Sequence, residues 1–230
     1  MTSIKKLWGG LEAGGTKFVC MVGSGPEDIL ELKRFPTTTP EETLSKTLAF
    51  FRQYQSAHEL RALGVASFGP VDLHRESDTY GFITSTPKPG WKYTEVVGFF
   101  RRELGIPVEF DTDVNGAALG EYRWGAGMGF STLMYLTVGT GIGGGVMVEG
   151  NLLHGLIHPE TGHLMLPHDV ENDPFEGSCP FHGDCFEGLA SGPAIQARWG
   201  QPGEELPEEH PAWDLEANYI AHALATYIGC

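Results

Sequence analysis

Basic residues are scarce in this 230-residue sequence: 15 Lys and Arg stand against 30 Asp and Glu, which gives a formal net charge of −15. Nucleic-acid binding depends on clustered Lys and Arg that neutralise phosphates, and anionic membrane surfaces attract the same residues. The charge balance therefore argues against nucleic acid and against an anionic membrane surface as partners.

Long apolar runs are also missing. No stretch approaches the roughly 18 uninterrupted apolar residues of a membrane-spanning helix, and residues 1–12 contain no apolar segment of the kind found in a signal peptide. The four cysteines are too few for a secreted disulfide scaffold. These absences predict a cytoplasmic protein in which Cys20 lies in the core and the terminal Cys230 has no visible partner.

Glycine, in contrast, is abundant: its 32 residues are about twice the usual share. Glycines concentrate in two segments, 7–23 and 132–150, which share the order of strand, Gly/Thr turn and strand. Further strands are predicted at 62–68 and 107–111, and helices at 39–54, 94–104, 115–124 and, capped by Asp214, 214–228. Such alternation predicts an α/β fold with two similar halves, divided near residue 116.

The two glycine turns differ from the known nucleotide-binding motifs. Gly10–Lys17 ends in Gly-Thr-Lys and precedes a strand, unlike a P-loop. Gly139–Gly144 satisfies G-x-G-x-x-G but lacks the helix that a dinucleotide site needs. Backbone N–H groups of a tight glycine turn bind anionic oxygens, so two such turns can clamp a polyphosphate; ordinary hairpin turns are the alternative. This hypothesis assigns nine glycines to phosphate: Gly9, Gly10, Gly14, Gly15, Gly139, Gly141, Gly143, Gly144 and Gly145.

Five motifs in order carry a resemblance to a known family: Glu12–Lys17, Asp111–Asn115, Thr137–Gly145, Glu160–His163 and Ala190–Ala194. Together they resemble the ROK family of bacterial sugar kinases, and most closely its fructokinase branch. The resemblance implies an actin-like ATPase (ribonuclease H-like) fold with an N-terminal lobe, residues 1–115, and a C-terminal lobe, residues 116–230. It also implies phosphorylation of a hexose by ATP and Mg²⁺ in a homodimer.

The resemblance implies roles for individual residues. Asp113 would be the general base that accepts the proton of the attacking hydroxyl; an Asp that merely caps the following helix is the alternative. Three residues would bind the sugar: Glu160, His163 and Glu187. The nucleotide and its phosphates would be contacted by Gly14, Gly15, Thr16, Lys17, Gly139, Thr140, Gly141, Gly192 and Pro193.

A second motif predicts a metal. Cys179, His182 and Cys185 form C-x₂-H-x₂-C, with His163 upstream. Two thiolates and two imidazoles make a closed tetrahedral Zn²⁺ site, so we expect a structural zinc that fixes His163 and Glu187; reduced cysteines in an irregular loop are the alternative. The remaining histidines of this region are predicted to be solvated loop residues: His154, His158 and His168.

The chain departs from the family pattern at three places. Glu12 replaces the usual Asp, as in the fructokinase branch, and Thr112 replaces the usual sugar-binding Asn, which leaves the sugar open. Family members continue beyond the helix at 214–228, so an incomplete C-terminal lobe with weakened ATP affinity is expected. The predicted reaction is ATP-dependent conversion of fructose to fructose 6-phosphate. A kinase for glucose-type or mannose-type sugars, and a catalytically impaired sugar-binding protein, remain open.

Overall fold

The computed structural model describes residues 4–156 and 158–229. Its strands are β1 Lys6–Ala13, β2 Lys17–Gly25, β3 Asp28–Pro36, β4 Glu59–Ser67, β5 Phe82–Ile83, β6 Thr94–Glu95, β7 Val108–Thr112, β8 Leu133–Val138, β9 Ile142–Val148 and β10 Asn151–Leu152. Its α-helices are α1 Pro40–Ala57, α2 Val97–Leu104, α3 Asp113–Trp124, α4 Phe186–Ala190, α5 Gly192–Trp199 and α6 Ala212–Ile228. Two 3₁₀ turns complete the list, Thr161–His163 and Gly203–Glu205. The predicted mixture of helices and strands is confirmed.

The chain forms two compact units. The first unit consists of Met1–Leu133 with Gly145–His158, and the second unit of Met134–Gly144 with Pro159–Cys230. The division into lobes 1–115 and 116–230 stays a prediction. Cys230 lies outside the described residues.

A five-stranded sheet in the order β3-β2-β1-β4-β7 organises the first unit. Strands β1, β2 and β3 are antiparallel, whereas β1, β4 and β7 are parallel. Alternate residues of β1 are buried because one face of the strand lies in the apolar core that also contains side chains of α1 and α2. Helix α1 begins as predicted, with Pro40 in its first turn and the Thr39 side chain accepting the N–H of Glu42 at 3.4 Å.

Strand β3 is absent from the sequence-based prediction. Nearly all its residues are exposed, and it lacks the alternation of apolar and polar residues that identifies a half-buried strand. It forms at the sheet edge because its backbone pairs with β2 from Lys17 opposite Pro36 to Gly25 opposite Asp28.

Two glycines let helix α3 approach the strands of the first unit closely. A Cβ at Gly116 would lie 2.6 Å from the Cβ of Ala66 in β4, and a Cβ at Gly145 in β9 would lie 2.2 Å from the carbonyl oxygen of Val114. Real side chains do not tolerate such distances, so any larger residue at either position would displace the first turn of α3.

The second unit has an apolar core around α4 and α6, with Phe186, Leu189 and Ala223 fully buried. Helix α6 begins at Ala212 after Pro211, so the prediction that Asp214 caps it is wrong. Asp214 lies instead in the first turn, where its charge interacts favourably with the helix dipole. Within residues 4–156 and 158–229, no helix is both long and apolar enough to cross a membrane.

A buried ionic cluster joins α5 and α6 in the second unit. Arg198 bonds Asp173 and Glu216, each at 3.2 Å, and Tyr219 donates its hydroxyl to Asp173 at 2.5 Å. The guanidinium also lies 4.5 Å from the ring centre of Phe175. Desolvation is the main cause that raises the pKa of Glu216 to about 7, while Arg198 opposes the rise and Asp173 adds to it.

This elevated pKa predicts a pH-dependent stability. A folded-state pKa above the ordinary value of 4.5 means that folded protein binds a proton on Glu216 that unfolded protein releases. The stabilisation is complete below about pH 4.5 and is lost as the pH rises through about 7. Glu216→Gln mimics the protonated carboxyl. The melting temperature of the variant minus that of wild type should therefore be several degrees larger at pH 8 than at pH 5. Exposed Glu209→Gln is the control in the same calorimetric series, and a pH-independent difference for Glu216→Gln would contradict the prediction.

Candidate functional site

Asp113 is the first residue of α3 and follows directly on β7. The N-cap of α3 is Thr112, whose Oγ1 accepts the N–H of Asn115 at 3.1 Å, so the alternative that Asp113 caps this helix is wrong. One carboxylate oxygen of Asp113 accepts the N–H of Val114 at 2.9 Å. The side chain remains exposed and available for chemistry.

Two charged groups of the first unit act on Asp113. Although solvent reaches its carboxyl, the surrounding protein reduces hydration, and this desolvation is the main cause that raises its pKa. The negative charge of Glu12 adds to the rise, whereas the N–H of Val114 and the charge of His158 oppose it. The net effect is a pKa of Asp113 above the ordinary value of an aspartate.

The first glycine turn connects β1 and β2 as predicted. Gly14 donates its N–H to the carbonyl of Lys17 at 3.0 Å and accepts the hydroxyl of Thr37 at 2.7 Å. A Cβ at Gly14 would lie 2.7 Å from the oxygen of Lys17, whereas one at Gly15 would meet no atom within 4 Å. Thr16 and Lys17 are exposed, so the turn presents small residues, a hydroxyl and an ammonium group to solvent.

The second glycine turn connects β8 and β9 in the second unit. Gly139 donates its N–H to the carbonyl of Gly141 at 2.9 Å and accepts the N–H of Gly192 at 2.8 Å. The turn, including exposed Thr140, therefore lies at the N-terminus of α5, where Pro193 occupies the first turn. The structure brings together these predicted nucleotide-binding residues of the second unit.

Glu187 has a specific partner that the sequence did not predict. Its Oε2 accepts the N–H of Ile142 in β9 at 2.9 Å, and a Cβ at Gly141 would lie 2.7 Å from the same oxygen. Glu160 is exposed and precedes the 3₁₀ turn, in which His163 donates its N–H to the carbonyl of Glu160 at 3.0 Å. All three predicted sugar-binding residues belong to the second unit.

The four predicted metal ligands converge in the second unit. The candidate ligand atoms of His163, Cys179, His182 and Cys185 all lie within 4.8 Å of one another. Nδ1 of His163 is 3.5 Å from the Sγ of Cys185 and 3.8 Å from the Sγ of Cys179, and Nδ1 of His182 is 3.8 Å from the same Cys179 sulfur. Tetrahedral zinc with ligand bonds of about 2.0–2.3 Å separates its ligand atoms by roughly 3.6 Å. The donor set and its spacing therefore fit Zn²⁺.

The backbone around this cluster is tightly packed. Cys179 and Gly183 exchange two backbone hydrogen bonds of 3.0 and 3.2 Å, and a Cβ at Gly188 would lie 1.8 Å from the oxygen of Gly183. Burial raises the pKa of the Cys185 thiol to about 11, and the neighbouring Cys179 adds to the rise. Two thiolates this close would repel each other, so a divalent cation is the group that best stabilises them.

Two of the three remaining histidines, His158 and His168, are not the solvated loop residues that the sequence predicted. His168 has a side chain only 6% exposed, with Nδ1 3.1 Å from Asp184 and Nε2 2.9 Å from the carbonyl of Asp173. His158 is buried as well. His154 is an exposed loop residue, as predicted, and its Nε2 bonds Asp111 at 2.8 Å. Because residues 151–188 lack periodicity, nothing in their sequence reveals which side chains turn inward.

Comparisons with known proteins agree with the resemblance. The model of the ROK family matches residues 8–229. A fructokinase from Zymomonas mobilis is 50% identical over 227 residues, which cover 96% of this chain and 75% of that protein. The crystal structure of a ROK hexokinase from Thermus thermophilus matches with a TM-score of 0.79 at 29% identity, and the match covers 97% of this chain and 78% of the hexokinase chain. The structure of a ROK glucokinase from Streptomyces griseus, in complex with glucose and AMPPNP, matches with a TM-score of 0.65 at 28% identity. This match covers 83% of this chain and 59% of the glucokinase chain.

These matches confirm the predicted family and fold. The family model spans nearly all described residues, and the helices and strands have the mixed α/β character of the actin-like ATPase fold. The five sequence motifs between Glu12 and Ala194 support the same assignment. The chain belongs to the ROK family.

Proposed function

We propose that this chain transfers the γ-phosphoryl group of ATP to fructose and forms fructose 6-phosphate and ADP. The geometry of Asp113 carries the proposal: an exposed carboxylate at a strand–helix junction, not used as the cap and with a raised pKa. Identity supports the sugar, since this chain is 50% identical to the Zymomonas mobilis fructokinase but 28% identical to the Streptomyces griseus glucokinase.

Asp113 is proposed as the general base. As the 6-hydroxyl oxygen of the sugar forms its bond to the γ-phosphorus, the hydroxyl proton passes to the carboxylate and the bond to the leaving ADP breaks. A raised pKa suits this task because a more basic carboxylate takes the proton with a greater driving force.

The glycine turns are proposed to bind phosphate oxygens through their backbone N–H groups. In the first unit, exposed Thr16 and Lys17 would add a hydroxyl and a positive charge. In the second unit, the turn at Gly139–Gly141 next to the N-terminus of α5 offers further donors and the helix dipole. Mg²⁺, which accompanies ATP, would neutralise the phosphate charge that develops during transfer.

Glu160, His163 and Glu187 are proposed to bind sugar hydroxyls. One oxygen of Glu187 already accepts the N–H of Ile142, so the other oxygen is proposed for the sugar. Nδ1 of His163 points to the cysteine sulfurs, which leaves Nε2–H as the donor toward a hydroxyl. Thr112 is buried and caps α3, so we do not propose it as a sugar ligand.

A structural Zn²⁺ is proposed for the cluster of His163, Cys179, His182 and Cys185. When bound, it would supply a cross-link between the 3₁₀ turn and the cysteine loop and no hydrolytic chemistry. His163 would then keep one ring orientation, because its Nδ1 is committed to the metal.

Partners follow from the same proposal. ATP and a hexose are the proposed small-molecule partners, and the AMPPNP and glucose bound to the Streptomyces griseus enzyme support this class. The homodimer and the cytoplasmic location stay predictions. Light scattering of the purified chain measures its molar mass and so tests the homodimer.

A coupled assay of ADP release with fructose, glucose, mannose and N-acetylmannosamine tests the proposed reaction. We expect kcat/KM for fructose to exceed that for each other sugar by about tenfold or more. Turnover of glucose or mannose without fructose would contradict the choice of sugar. Thermal stabilisation by a sugar without ADP release would instead indicate a sugar-binding protein that lacks turnover.

A further inference from the structure

The Asp111 carboxylate connects three segments of the first unit. Its Oδ1 accepts the side-chain N–H of Asn115 at 2.7 Å and the backbone N–H of Thr112 at 2.8 Å. Its Oδ2 lies 2.8 Å from Nε2 of His154, which donates when that nitrogen is protonated. The segment after β10, residues 153–156 and 158, contributes His154. Strand β7, the first turn of α3 and this segment therefore meet at one side chain.

These contacts hold the backbone on both sides of Asp113. Asn115 is fully buried and is fixed twice, because its backbone N–H donates to Thr112 and its side-chain N–H to Asp111. Asp113 lies midway between Asp111 and Asn115 in the chain, so the direction of its Cα–Cβ bond follows from this turn.

His154 belongs to the segment after β10, which also carries buried His158. The charge of His158 lowers the pKa of Asp113, whereas the charge of Glu12 in β1 raises it. These two charged side chains act on Asp113 in opposite directions. Desolvation and Glu12 raise the pKa of Asp113, and the imidazole of His158 opposes them. The position of the segment after β10 therefore determines how strongly His158 lowers this pKa. A contact between Nε2 of His74 and the carbonyl of Leu156, at 2.6 Å, is a further attachment of this segment.

We propose that His154 is a positioning residue for Asp113: through its bond to Asp111 it holds the segment after β10 against the β7–α3 junction. This role is not catalytic, since His154 acts through Asp111 and through the placement of His158. The kinetic consequence rests on the proposed role of Asp113 as base, but the effect on the ionisation of Asp113 does not.

His154→Leu removes the donor to Asp111 and tests the proposal in the full 230-residue chain. The pKa of Asp113, measured by ¹³C NMR titration of its carboxyl group, should rise, because His158 moves away and its opposing charge is lost. The kcat for sugar phosphorylation should fall about tenfold or more, with KM for ATP unchanged. His154→Gln keeps an amide donor for Asp111 and should restore both values to nearly those of wild type. His58→Leu, at a histidine bonded to the backbone N–H of Lys5, is the matched control.

The possible outcomes separate the proposal from its alternatives. An unchanged pKa of Asp113 in His154→Leu overturns the proposal, whether or not kcat falls, because a merely structural role would lower kcat without that change. If His154→Leu does not fold, His154→Ala replaces it with the same expected results. If the pKa of Asp113 rises in His154→Leu while the separate variant Asp113→Asn keeps wild-type kcat, the positioning role is supported and the role of Asp113 as base is refuted. The NMR titration remains decisive even if the wild-type chain shows no turnover.

Discussion

Asp113→Asn should lower kcat for sugar phosphorylation by about a thousandfold and leave the melting temperature nearly unchanged. A positioned general base contributes roughly 10²–10⁴ to the rate, and the amide cannot accept the hydroxyl proton. The fold should tolerate the change because the side chain is exposed and the cap of α3 is formed by Thr112. A coupled ADP assay at saturating fructose and ATP measures the loss.

Two comparisons make this result specific to Asp113. Asp78→Asn removes an exposed carboxylate elsewhere in the first unit and should keep wild-type kcat. In the pH profile, the acidic limb of kcat/KM should lie above the ordinary Asp value, since the pKa of Asp113 is raised. Asp113→Asn with more than about a tenth of the wild-type kcat would exclude this residue as the base.

Cys185→Ala should lose bound zinc and lower the melting temperature by about 10 °C or more. The cluster places two buried thiols and two imidazoles within 4.8 Å, and the binding free energy of a structural zinc site contributes directly to folding. Removing one ligand leaves a three-ligand site in a loop whose glycines already contact neighbouring backbone atoms. Elemental analysis and calorimetry on the same preparation measure both effects.

Cys20→Ala is the matched control for this experiment. Cys20 is buried in the first unit, and burial raises its pKa to about 12, as expected for a core thiol. The variant should keep one zinc per chain, and any loss of stability would reflect core packing alone. Zinc-free wild-type protein, or wild-type zinc content in Cys185→Ala, would refute the metal site.

Local signals made much of the fold predictable. Turn residues, helix caps and the spacing of apolar residues predict three elements: the hairpin of β1 and β2, helix α1 with its Thr39 cap, and the strand–helix junction at Asp111–Asn115. The cluster of candidate metal ligands was predictable for the same reason, since three of its four residues lie within seven residues of sequence. Strand β3 was not, because it exists only through its pairing with β2.

The contacts between distant residues could not be predicted from one sequence. Nothing local in Glu187 indicates its bond to Ile142, and nothing in His154 indicates Asp111, 43 residues earlier. Burial of His168 depends on Asp173 and Asp184, which also have no periodic signature. Such pairs arise when separate elements meet, so they become visible only in the folded chain.

The glycines have mixed roles where the sequence predicted a single one. Gly15 and Gly139 have open space around them, as a ligand-binding turn requires. Gly9, by contrast, lies against the ring of Phe51, and Gly144 against the side chains of Thr161 and Met134. At these positions glycine provides room for neighbouring protein atoms, so part of the glycine content serves packing rather than phosphate.

The glycines that hold α3 close to β4 and β9 also set a limit on how this protein can be redesigned. Gly116 and Gly145 leave no volume on two sides of the helix that begins with Asp113. A combinatorial library aimed at new sugar specificity should therefore leave both positions unchanged. Diversity is better tolerated at Leu119 and Gly120 on the same helix, where one side chain is exposed and the other position has open space.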